Sequence, residues 1–236
     1  MAEHQVLLVT GARKGIGRHL AEHYTASGYL VVGCSREPSE YQHENYRHFS
    51  LDVAEEPGVL ALFGEIRKTY GRLDVLINNA GIASMNHVLL TPIRTVKRIL
   101  DTNVVGTFLF SREAAKLMRK RKHGRIVNFS SVATPLKLPG EAIYAASKAA
   151  IVHLTKVMAF ELASFGITVN AVGPTPVKTD LVRSVPPFKM DALIARQAVP
   201  RWGEFRDISN VVDFFLKPES DFVTGQVLHL GGISND

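Results

Sequence analysis

Tyr144 and Lys148 are the residues of this sequence whose types and spacing most directly suggest chemistry. They begin an apolar stretch, residues 143–163, that predicts a helix, and residues four apart lie on one helix face. A tyrosine hydroxyl has a pKa of about 10, too high for efficient acid–base work near neutrality. The lysine charge favours the tyrosinate, so we expect it to lower the pKa of Tyr144. The alternative is structural: a packed ring and a lysine whose head reaches solvent.

Further polar side chains stand where predicted strands end or helices begin. The fragment NNAG (residues 78–81) follows one strand, Ser130 and Ser131 follow another, and Asn103 opens a predicted helix. Open α/β sheets bind ligands at the carboxyl ends of their strands, so we expect these groups to gather near Tyr144. Taken singly, Asn103 could be a helix cap and the serines ordinary strand-end hydroxyls.

Three glycines, Gly11, Gly15 and Gly17, lie between the first predicted strand and the first predicted helix. Gly11 allows a tight turn, and the other two let the backbone approach a pyrophosphate, whose charge suits a helix N-terminus. The spacing is G-x-x-x-G-x-G, and a glycine cluster alone could be no more than a turn. Its position after the first strand of an alternating chain predicts a nucleotide site.

The end of the second strand indicates which dinucleotide is bound. Many dinucleotide-binding proteins have a carboxylate there for the ribose hydroxyls, whereas this sequence has Ser35 and Arg36. Lys14 adds a second cation from the glycine loop, and two cations suit a 2′-phosphate. We therefore expect NADP(H) to be preferred over NAD(H). The alternative is that both cations are solvated and Glu37 binds a ribose.

The alternation of apolar runs with helical stretches predicts the fold class. Near-continuous apolar runs indicate strands buried on both faces, as in a parallel sheet. The sequence therefore predicts a single α/β domain over residues 1–236, with a doubly wound parallel sheet of about seven strands flanked by helices. The predicted strands are 5–10, 29–35, 46–53, the start of 73–81, 124–131, 166–174 and 226–232. The predicted helices are 16–27, 59–70, a short one from 92, 103–122, 143–163 and 204–216.

Residues 180–202 differ in composition from the rest of the chain. Three prolines, Pro186, Pro187 and Pro200, surround a short helical piece at 190–197. We predict a mobile flap beside the site; the alternative is a packed crossover. The apolar residues of this flap favour an apolar or elongated substrate, although they could equally be packing residues: Leu181, Val182, Val185, Phe188, Met190 and Leu193.

The composition bounds the class of protein. A chain of 236 residues, 46% hydrophobic and 21% charged, suits one globular domain. A single cysteine, Cys34, excludes an intramolecular disulfide and a multi-cysteine metal site, and makes a reducing cytoplasm the expected location. No apolar stretch reaches the roughly 20 residues that span a bilayer, so we expect no membrane association. The net charge of +6 permits acidic partners, but no aromatic residues accompany the basic run at 116–125, which argues against nucleic acid.

Together these motifs resemble the short-chain dehydrogenase/reductase family, in particular its single-domain 3-oxoacyl-[acyl-carrier-protein] reductases. The matching segments, in the family's order over nearly the whole chain, are TGARKGIG, LDV at 51–53, NNAG, Asn103, Ser131 with YAASK, and GITVNAVGP. The resemblance implies a Rossmann-type fold, a nicotinamide cofactor and four catalytic residues, Asn103, Ser131, Tyr144 and Lys148. Tyr144 would protonate a carbonyl oxygen as hydride arrives, with Ser131 hydrogen-bonded to that oxygen. By the same pattern Lys148 holds the nicotinamide ribose, and Asn103 supports a chain of waters that resupplies the proton.

The resemblance also implies which residues bind the dinucleotide. They are Gly11, Arg13, Lys14, Gly15, Ile16, Gly17, Ser35, Arg36, Asp52, Val53, Asn79, Ala80, Gly81, Tyr144, Lys148, Pro174, Val177 and Thr179. Two departures from the family pattern concern the shape of the pocket rather than the type of reaction. The family usually has a helix where this chain has only residues 36–46, and it usually has a glycine where this chain has Thr175.

The substrate and partners are less constrained. A 3-oxoacyl thioester on an acyl carrier protein is the leading specific candidate, because the basic run at 116–125 could dock an acidic carrier. Cations at a helix C-terminus are favoured by the helix dipole in any case, and Phe165 stands where those reductases can have an arginine. The alternatives are a reductase or dehydrogenase of a free small ketone, polyol, sugar or polyketide-like substrate, and a catalytically silent dinucleotide-binding regulator. Family members are commonly oligomers, so we expect a homotetramer or homodimer that pairs the helices at 103–122 and 144–163.

Overall fold

Seven parallel strands form one sheet in the order β3-β2-β1-β4-β5-β6-β7. The computed structural model describes residues 4–183 and 185–233, so the chain ends and Ser184, which belong to the predicted domain and flap, lie outside the described residues. The strands are β1 (Val6–Thr10), β2 (Leu30–Ser35), β3 (Tyr46–Ser50), β4 (Val75–Asn78), β5 (Gly124–Phe129), β6 (Ile167–Gly173) and β7 (Val227–His229). The predicted doubly wound parallel sheet is confirmed.

Helices cover both faces of the sheet, because each parallel connection has to cross back over it. They are α1 (Gly15–Ala26), α2 (Glu56–Tyr70), α3 (Ile93–Leu100), α4 (Gly106–Met118), α5 (Ala133–Leu136), α6 (Ala142–Leu162), α7 (Pro187–Ile194) and α8 (Phe205–Leu216). Among the described residues, none of these helices has the length and apolar character needed to cross a membrane.

The strand order reverses between β1 and β4, and the carboxyl ends of these strands form the crevice where such sheets bind ligands. β1, β4, β5 and β6 are buried along their whole length. Two apolar clusters bury them. One, around Phe110 and Ile126, lies beneath α2, α4 and α6, and the other, around Leu20 and Phe215, lies beneath α1 and α8. The crevice is therefore held between two packed cores.

The connection from β2 to β3 contains no helix in the described residues, as the shortness of this segment predicted. Tyr41 and Tyr46 pack there instead, with ring centroids 4.8 Å apart, and the Arg18 guanidinium lies 4.7 Å from the centre of the Tyr41 ring. Gly33 of β2 makes room for them, because a Cβ there would overlap the Tyr46 hydroxyl. Aromatic rings thus cover this edge of the sheet.

The helical segment after β4 corrects the prediction that Asn103 opens a helix. α3 and α4 are joined by a π-helical turn, Asp101–Val105, and Asn103 lies inside that turn. The sequence has no Pro or Gly between Pro92 and Gly106 to mark the change of winding, so periodicity alone could not place it. Such wider turns occur frequently at functional sites. The helix also ends at Met118, four residues before the predicted end.

The segment after β6 forms one wall of the crevice. A short 3₁₀ turn, Asp180–Val182, precedes α7, which begins at Pro187 rather than at the predicted residue 190. Proline suits the first turn of a helix because its missing N–H has no intrahelical partner there. Val177 pairs with Gly203 across an isolated β-bridge, so both ends of this segment are tied together.

Candidate active site

Tyr144 and Lys148 project from the first turns of α6 into the crevice. Both are buried, with 9% and 5% of their surfaces exposed. The Lys148 ammonium donates a 2.7 Å hydrogen bond to the Phe129 carbonyl at the end of β5, and it lies 5.9 Å from the centre of the Tyr144 ring. The spacing of four residues therefore brings the two groups together, as the sequence predicted.

The two serines after β5 have different surroundings. Ser131 lies close enough to the Tyr144 hydroxyl to lower its pKa, and the Ser131 hydroxyl oxygen accepts a 3.1 Å bond from the backbone N–H of Ala133. Ser130 is buried, and its hydroxyl points to the Lys148 carbonyl at 3.5 Å. Ser131, the serine that the family resemblance implied, is thus the one beside the tyrosine hydroxyl.

Burial governs the electrostatics of the Tyr144–Lys148 pair in the protein alone. Burial raises the pKa of Tyr144 to about 12, the hydrogen bond from Ser131 opposes this rise, and the nearby Glu141 carboxylate adds to it. Burial also lowers the pKa of Lys148 to about 8. In the protein alone, burial therefore sets the direction of the Tyr144 shift, and a lowering of this pKa by Lys148 together with an oxidised nicotinamide stays a prediction for the cofactor-bound enzyme.

Asn103 lies behind the crevice, and its side chain fixes the loop that follows β4. Its amide oxygen accepts from the Ile82 N–H at 2.9 Å, and its amide nitrogen donates to the Ile82 carbonyl at 3.0 Å and to the Ser147 hydroxyl at 2.9 Å. The loop carries Gly81, where a Cβ would lie 3.4 Å from the Lys148 ammonium. Asn103 thus connects the loop to the helix that bears the tyrosine and lysine.

The glycine loop and the NNAG fragment meet at the switch point between β1 and β4. Asn79 donates from its amide to the carbonyl oxygens of Thr10 and Gly11, at 2.9 and 3.3 Å. Gly11 and Gly15 have φ values of +70° and +59°, and a Cβ on Gly17 would overlap the Gly11 carbonyl. Ala80 donates its N–H to the Thr10 hydroxyl, so the two segments are locked together.

The N-terminus of α1 has the properties of an anion site. No side chain caps it, and its first turn contains no acidic residue. Its free N–H groups and the helix dipole favour a phosphate, so the residues present fit the pyrophosphate of a dinucleotide. Thr179 approaches the same loop from the segment after β6, since a Cβ on Gly15 would lie 3.4 Å from its methyl group.

The charged residues predicted for the adenosine end lie at the surface. The Glu37 carboxylate is 2.8 Å from the Arg13 guanidinium, and the Lys14 ammonium is 2.6 Å from the Asp180 carboxylate. Arg36 is exposed. The carboxylate that could have bound a ribose diol is therefore already paired with a cation.

Two further predicted cofactor residues, Asp52 and Val53, follow β3. The Asp52 carboxylate accepts a 3.0 Å bond from the Ala54 N–H, and Val53 is buried in the core. Val53 also explains the glycine that begins α4, because a Cβ on Gly106 would lie 2.9 Å from the valine methyl.

A cavity of about 460 Å³ opens in front of Tyr144. Its lining includes, from the predicted site, Ile16, Asn79, Gly81, Ser131, Tyr144, Lys148, Pro174, Val177 and Thr179. The predicted residues outside that lining are Gly11, Arg13, Lys14, Gly15, Gly17, Ser35, Arg36, Asp52, Val53, Ala80 and Asn103. The segment at 180–202 contributes the apolar wall formed by Leu181, Val182, Val185, Met190 and Leu193, whereas Phe188 does not line the cavity and is 69% exposed.

Three charged residues that sequence reasoning missed also line the cavity: Glu141, Lys189 and Arg196. Glu141 is three positions before Tyr144, one helical turn away, and this spacing was the signal that could have found it. Its side chain makes no hydrogen bond to a described residue, and burial raises its pKa, against the opposing charge of Lys189. Lys189 and Arg196 carry no comparable signal, because only the fold brings this segment to the cavity.

Comparison with known proteins decides the family. A family model described as short chain dehydrogenase matches residues 5–189. The chain is 34% identical to the 3-oxoacyl-[acyl-carrier-protein] reductase of Escherichia coli (strain K12), across 98% of this chain and 97% of that protein. The chain belongs to the short-chain dehydrogenase/reductase family.

Solved structures of similar proteins agree with this membership. A putative gluconate dehydrogenase from Agrobacterium tumefaciens superposes with a TM-score of 0.90 at 31% identity, covering 97% of this chain and 94% of that one. The protein ElxO, solved with NADP bound, gives a TM-score of 0.88 at 32% identity, covering 97% and 98%. As a short-chain dehydrogenase/reductase, the protein is an oxidoreductase with a dinucleotide-binding Rossmann-type fold.

Proposed function

We propose that this short-chain dehydrogenase/reductase uses NADPH to reduce a ketone to a secondary alcohol, with Asn103, Ser131, Tyr144 and Lys148 as the catalytic set. One observation carries the proposal: the Tyr144 hydroxyl, its Ser131 partner and Lys148 line one cavity with Asn79 and Gly81 from the dinucleotide crevice. A bound nicotinamide dinucleotide supplies the hydride. All the proton-handling groups come from this chain.

The protonation state of Tyr144 suits its role as the acid of the reduction. A phenol whose pKa is raised to about 12 keeps its proton throughout the physiological range and can donate it to a developing alkoxide. Ser131 donates to the same oxygen and holds the carbonyl in line with the tyrosine. Alcohol oxidation would need the tyrosinate, which burial in this site disfavours until another positive charge is bound nearby.

Lys148 and Asn103 support this proton transfer without giving up the proton themselves: one stabilises charge on Tyr144, and the other fixes the loop after β4. The Phe129 carbonyl holds the Lys148 ammonium, which would bind the hydroxyls of the nicotinamide ribose and stabilise negative charge on Tyr144. Asn103 fixes the Ile82 backbone and the Ser147 hydroxyl, which keeps the loop after β4 beside that ammonium. In the family pattern this asparagine also supports the waters that return a proton to the tyrosine.

The charges at the adenosine end support NADP(H) over NAD(H). Glu37 is paired with Arg13, so it is not free to accept bonds from a ribose diol, and Arg36 is exposed at the end of β2. A 2′-phosphate adds negative charge where this chain presents cations. We expect kcat/KM for NADPH to exceed that for NADH at least about tenfold. A higher value for NADH would refute the preference.

Two observations support a 3-oxoacyl thioester as the first substrate candidate. The cavity wall formed by the segment after β6 is apolar, which suits an acyl chain, and the E. coli relative is named as a reductase of such thioesters. For an acidic carrier protein, Arg119 and Lys120 at the end of α4 are exposed, whereas Arg125 is buried. Docking would therefore use only part of the basic run.

A panel of substrates tests the proposed function. NADPH oxidation is followed with a 3-oxoacyl thioester, a simple ketone and a polyhydroxy ketone, with Tyr144→Phe as the inactive control. Turnover of at least one ketone by the wild type, absent in the variant, is the expected result. A wild-type protein that binds NADPH and reduces none of the panel would instead favour the catalytically silent regulator.

Glu141 favours a second candidate, a small carbonyl compound that carries a hydroxyl group beside the reacting carbon. Its carboxylate faces the cavity next to Tyr144 with no described hydrogen-bond partner, so it can accept a bond from such a hydroxyl. The A. tumefaciens neighbour is described as a putative gluconate dehydrogenase, and gluconate is a polyhydroxylated compound. Glu141→Gln should lower kcat/KM for the hydroxylated ketone about tenfold or more beyond its effect on the simple ketone, which reports only the loss of the carboxylate charge beside Tyr144. Equal effects on both would remove this candidate.

We further propose a homo-oligomer, formed in the reducing cytoplasm that the single buried thiol of Cys34 suits. Phe108 of α4 is 45% exposed and Phe160 of α6 is 87% exposed, on the two helices expected to pair. Apolar rings this exposed are typical of an interface. Light scattering should show a dimer or tetramer that Phe160→Ser weakens, and a wild-type monomer would rule the proposal out.

A further inference from the structure

A chain of hydrogen bonds runs from β3 to the turn that follows β2. The Tyr46 hydroxyl is 2.7 Å from His48 Nδ1, and His48 Nε2 is 2.9 Å from the Ser35 hydroxyl and 3.2 Å from the Glu37 carbonyl. Ser35 in turn donates to the Glu37 carbonyl at 2.6 Å. The chain therefore closes the turn that carries Arg36.

The donors and acceptors of this chain fit one arrangement of protons. Because the Ser35 hydroxyl donates to the Glu37 carbonyl, its oxygen can accept from His48, which places the imidazole proton on Nε2. Nδ1 is then an acceptor for the Tyr46 hydroxyl. Burial lowers the pKa of His48, which agrees with a neutral ring. The side chains of Ser35, His48 and Tyr46 are thus all hydrogen-bonded to other groups of the protein.

No helix lies among the described residues between β2 and β3, and the turn after β2 is held by His48 of β3 instead. β3 is the edge strand, paired with β2 so that His48 lies opposite Gly33. Gly33 has no side chain, and the Tyr46 hydroxyl occupies that space and reaches Nδ1. In this chain the turn after β2 is therefore held from the neighbouring strand.

We propose that His48 is a positioning residue for cofactor selectivity, which fixes the Ser35–Glu37 turn so that Arg36 faces the 2′-phosphate of NADPH. The turn holds the Glu37 carboxylate beside Arg13, at 2.8 Å, and leaves Arg36 exposed. His48 acts through this turn, to which it bonds at Ser35 and Glu37. Its loss releases the turn, and with it the cation that distinguishes NADPH from NADH. The inference rests on the proposed preference for NADPH.

Dissociation constants for NADPH and NADH test this without any substrate. They are measured by cofactor fluorescence for the wild type, His48→Leu, His48→Gln and the control His153→Leu, a change at an exposed site on α6. His48→Leu should weaken NADPH about tenfold and NADH less than about twofold, the loss of roughly one hydrogen bond to a charged group. His48→Gln, whose amide can donate in place of Nε2, should recover most of the affinity.

The possible outcomes distinguish a failure of the proposed His48 role from a failure of the proposed NADPH preference. A wild type that prefers NADPH and a His48→Leu variant with the same preference would overturn the role of His48 alone. A wild type that binds NADH as tightly as NADPH would contradict the proposed cofactor preference and the inference with it. If His48→Leu unfolds, Tyr46→Phe removes the donor to Nδ1 instead. That variant should show the same selective loss, and an unchanged preference there would count against the inference.

Discussion

The two ends of the dinucleotide crevice are built in different ways. At the catalytic end, Tyr144 and Lys148 are 9% and 5% exposed and Asn103 is 1% exposed. At the adenosine end, the side chains of Lys14 and Glu37 are 61% and 65% exposed and pair with other surface charges. One end is part of the core, and the other is a set of surface ion pairs.

Because of this difference, substitutions at the two ends of the crevice should have different effects. Buried groups have their pKa values set by desolvation, so a small change in packing or charge alters the chemistry. Exposed ion pairs contribute little to stability, so their residues can change with little effect on folding. Reaction type should therefore be hard to alter in this protein and cofactor choice easy.

The largest expected effect lies at the catalytic end. Tyr144→Phe should lower kcat by about 1000-fold or more while NADPH binding is retained, because the general acid is lost and the ring remains. Tyr24→Phe is the matched control, since Tyr24 is also buried and donates a 2.8 Å bond to Asp213 far from the cavity. It should cost about 1 kcal/mol of stability and no activity. Comparable kcat in both variants would refute the assignment of Tyr144.

The second-largest effect is expected in the glycine loop, because a side chain at Gly17 would collide with the backbone of the loop itself. A Cβ on Gly17 would overlap the Gly11 carbonyl, so Gly17→Ala should abolish measurable NADPH binding and lower the melting temperature. Gly64→Ala in α2 is the control, since no atom lies within 4 Å of its added Cβ. It should stabilise the protein by about 0.5–1 kcal/mol. Gly17→Ala with normal NADPH affinity would mean that the loop is not the pyrophosphate site.

Lys148 tests the energetic cost of burial through the pH dependence of stability. Its pKa is lowered from 10.5 to about 8, so between these values the folded protein has released a proton that the unfolded chain still holds. The free energy of unfolding of the wild type should therefore rise with pH across this range, relative to Lys148→Met, by about 3 kcal/mol. Chemical denaturation at pH 7.5 and about pH 10 measures it.

Lys156→Met, at an exposed site on the same helix, is the control for that experiment and should follow the wild type. A constant difference between the wild type and Lys148→Met would contradict the prediction, because it would show that burial does not lower the pKa of Lys148 in the folded protein.

The sequence could predict the features that local patterns determine, but not those that depend on packing between distant segments. Near-continuous apolar runs revealed the sheet, and four-residue spacing revealed that Tyr144 and Lys148 share a face, because both patterns are local. The direction of the Tyr144 pKa shift was not predictable, since it depends on the depth of burial that the whole fold creates. The π turn around Asn103 and the approach of Lys189 to the cavity also arise from packing between distant segments.

The smallest expected effect lies in the ion pair between Lys14 and Asp180, which joins the glycine loop to the segment after β6. Asp180→Asn releases the Lys14 ammonium for the cofactor phosphates, so NADPH should bind about two- to threefold more tightly in low salt. The gain should disappear at about 0.5 M salt, because exposed charges are then screened. Asp191→Asn on α7 is the control for the loss of one negative charge. Equal gains in both variants would mean that net charge, rather than the freed lysine, sets NADPH affinity at this end.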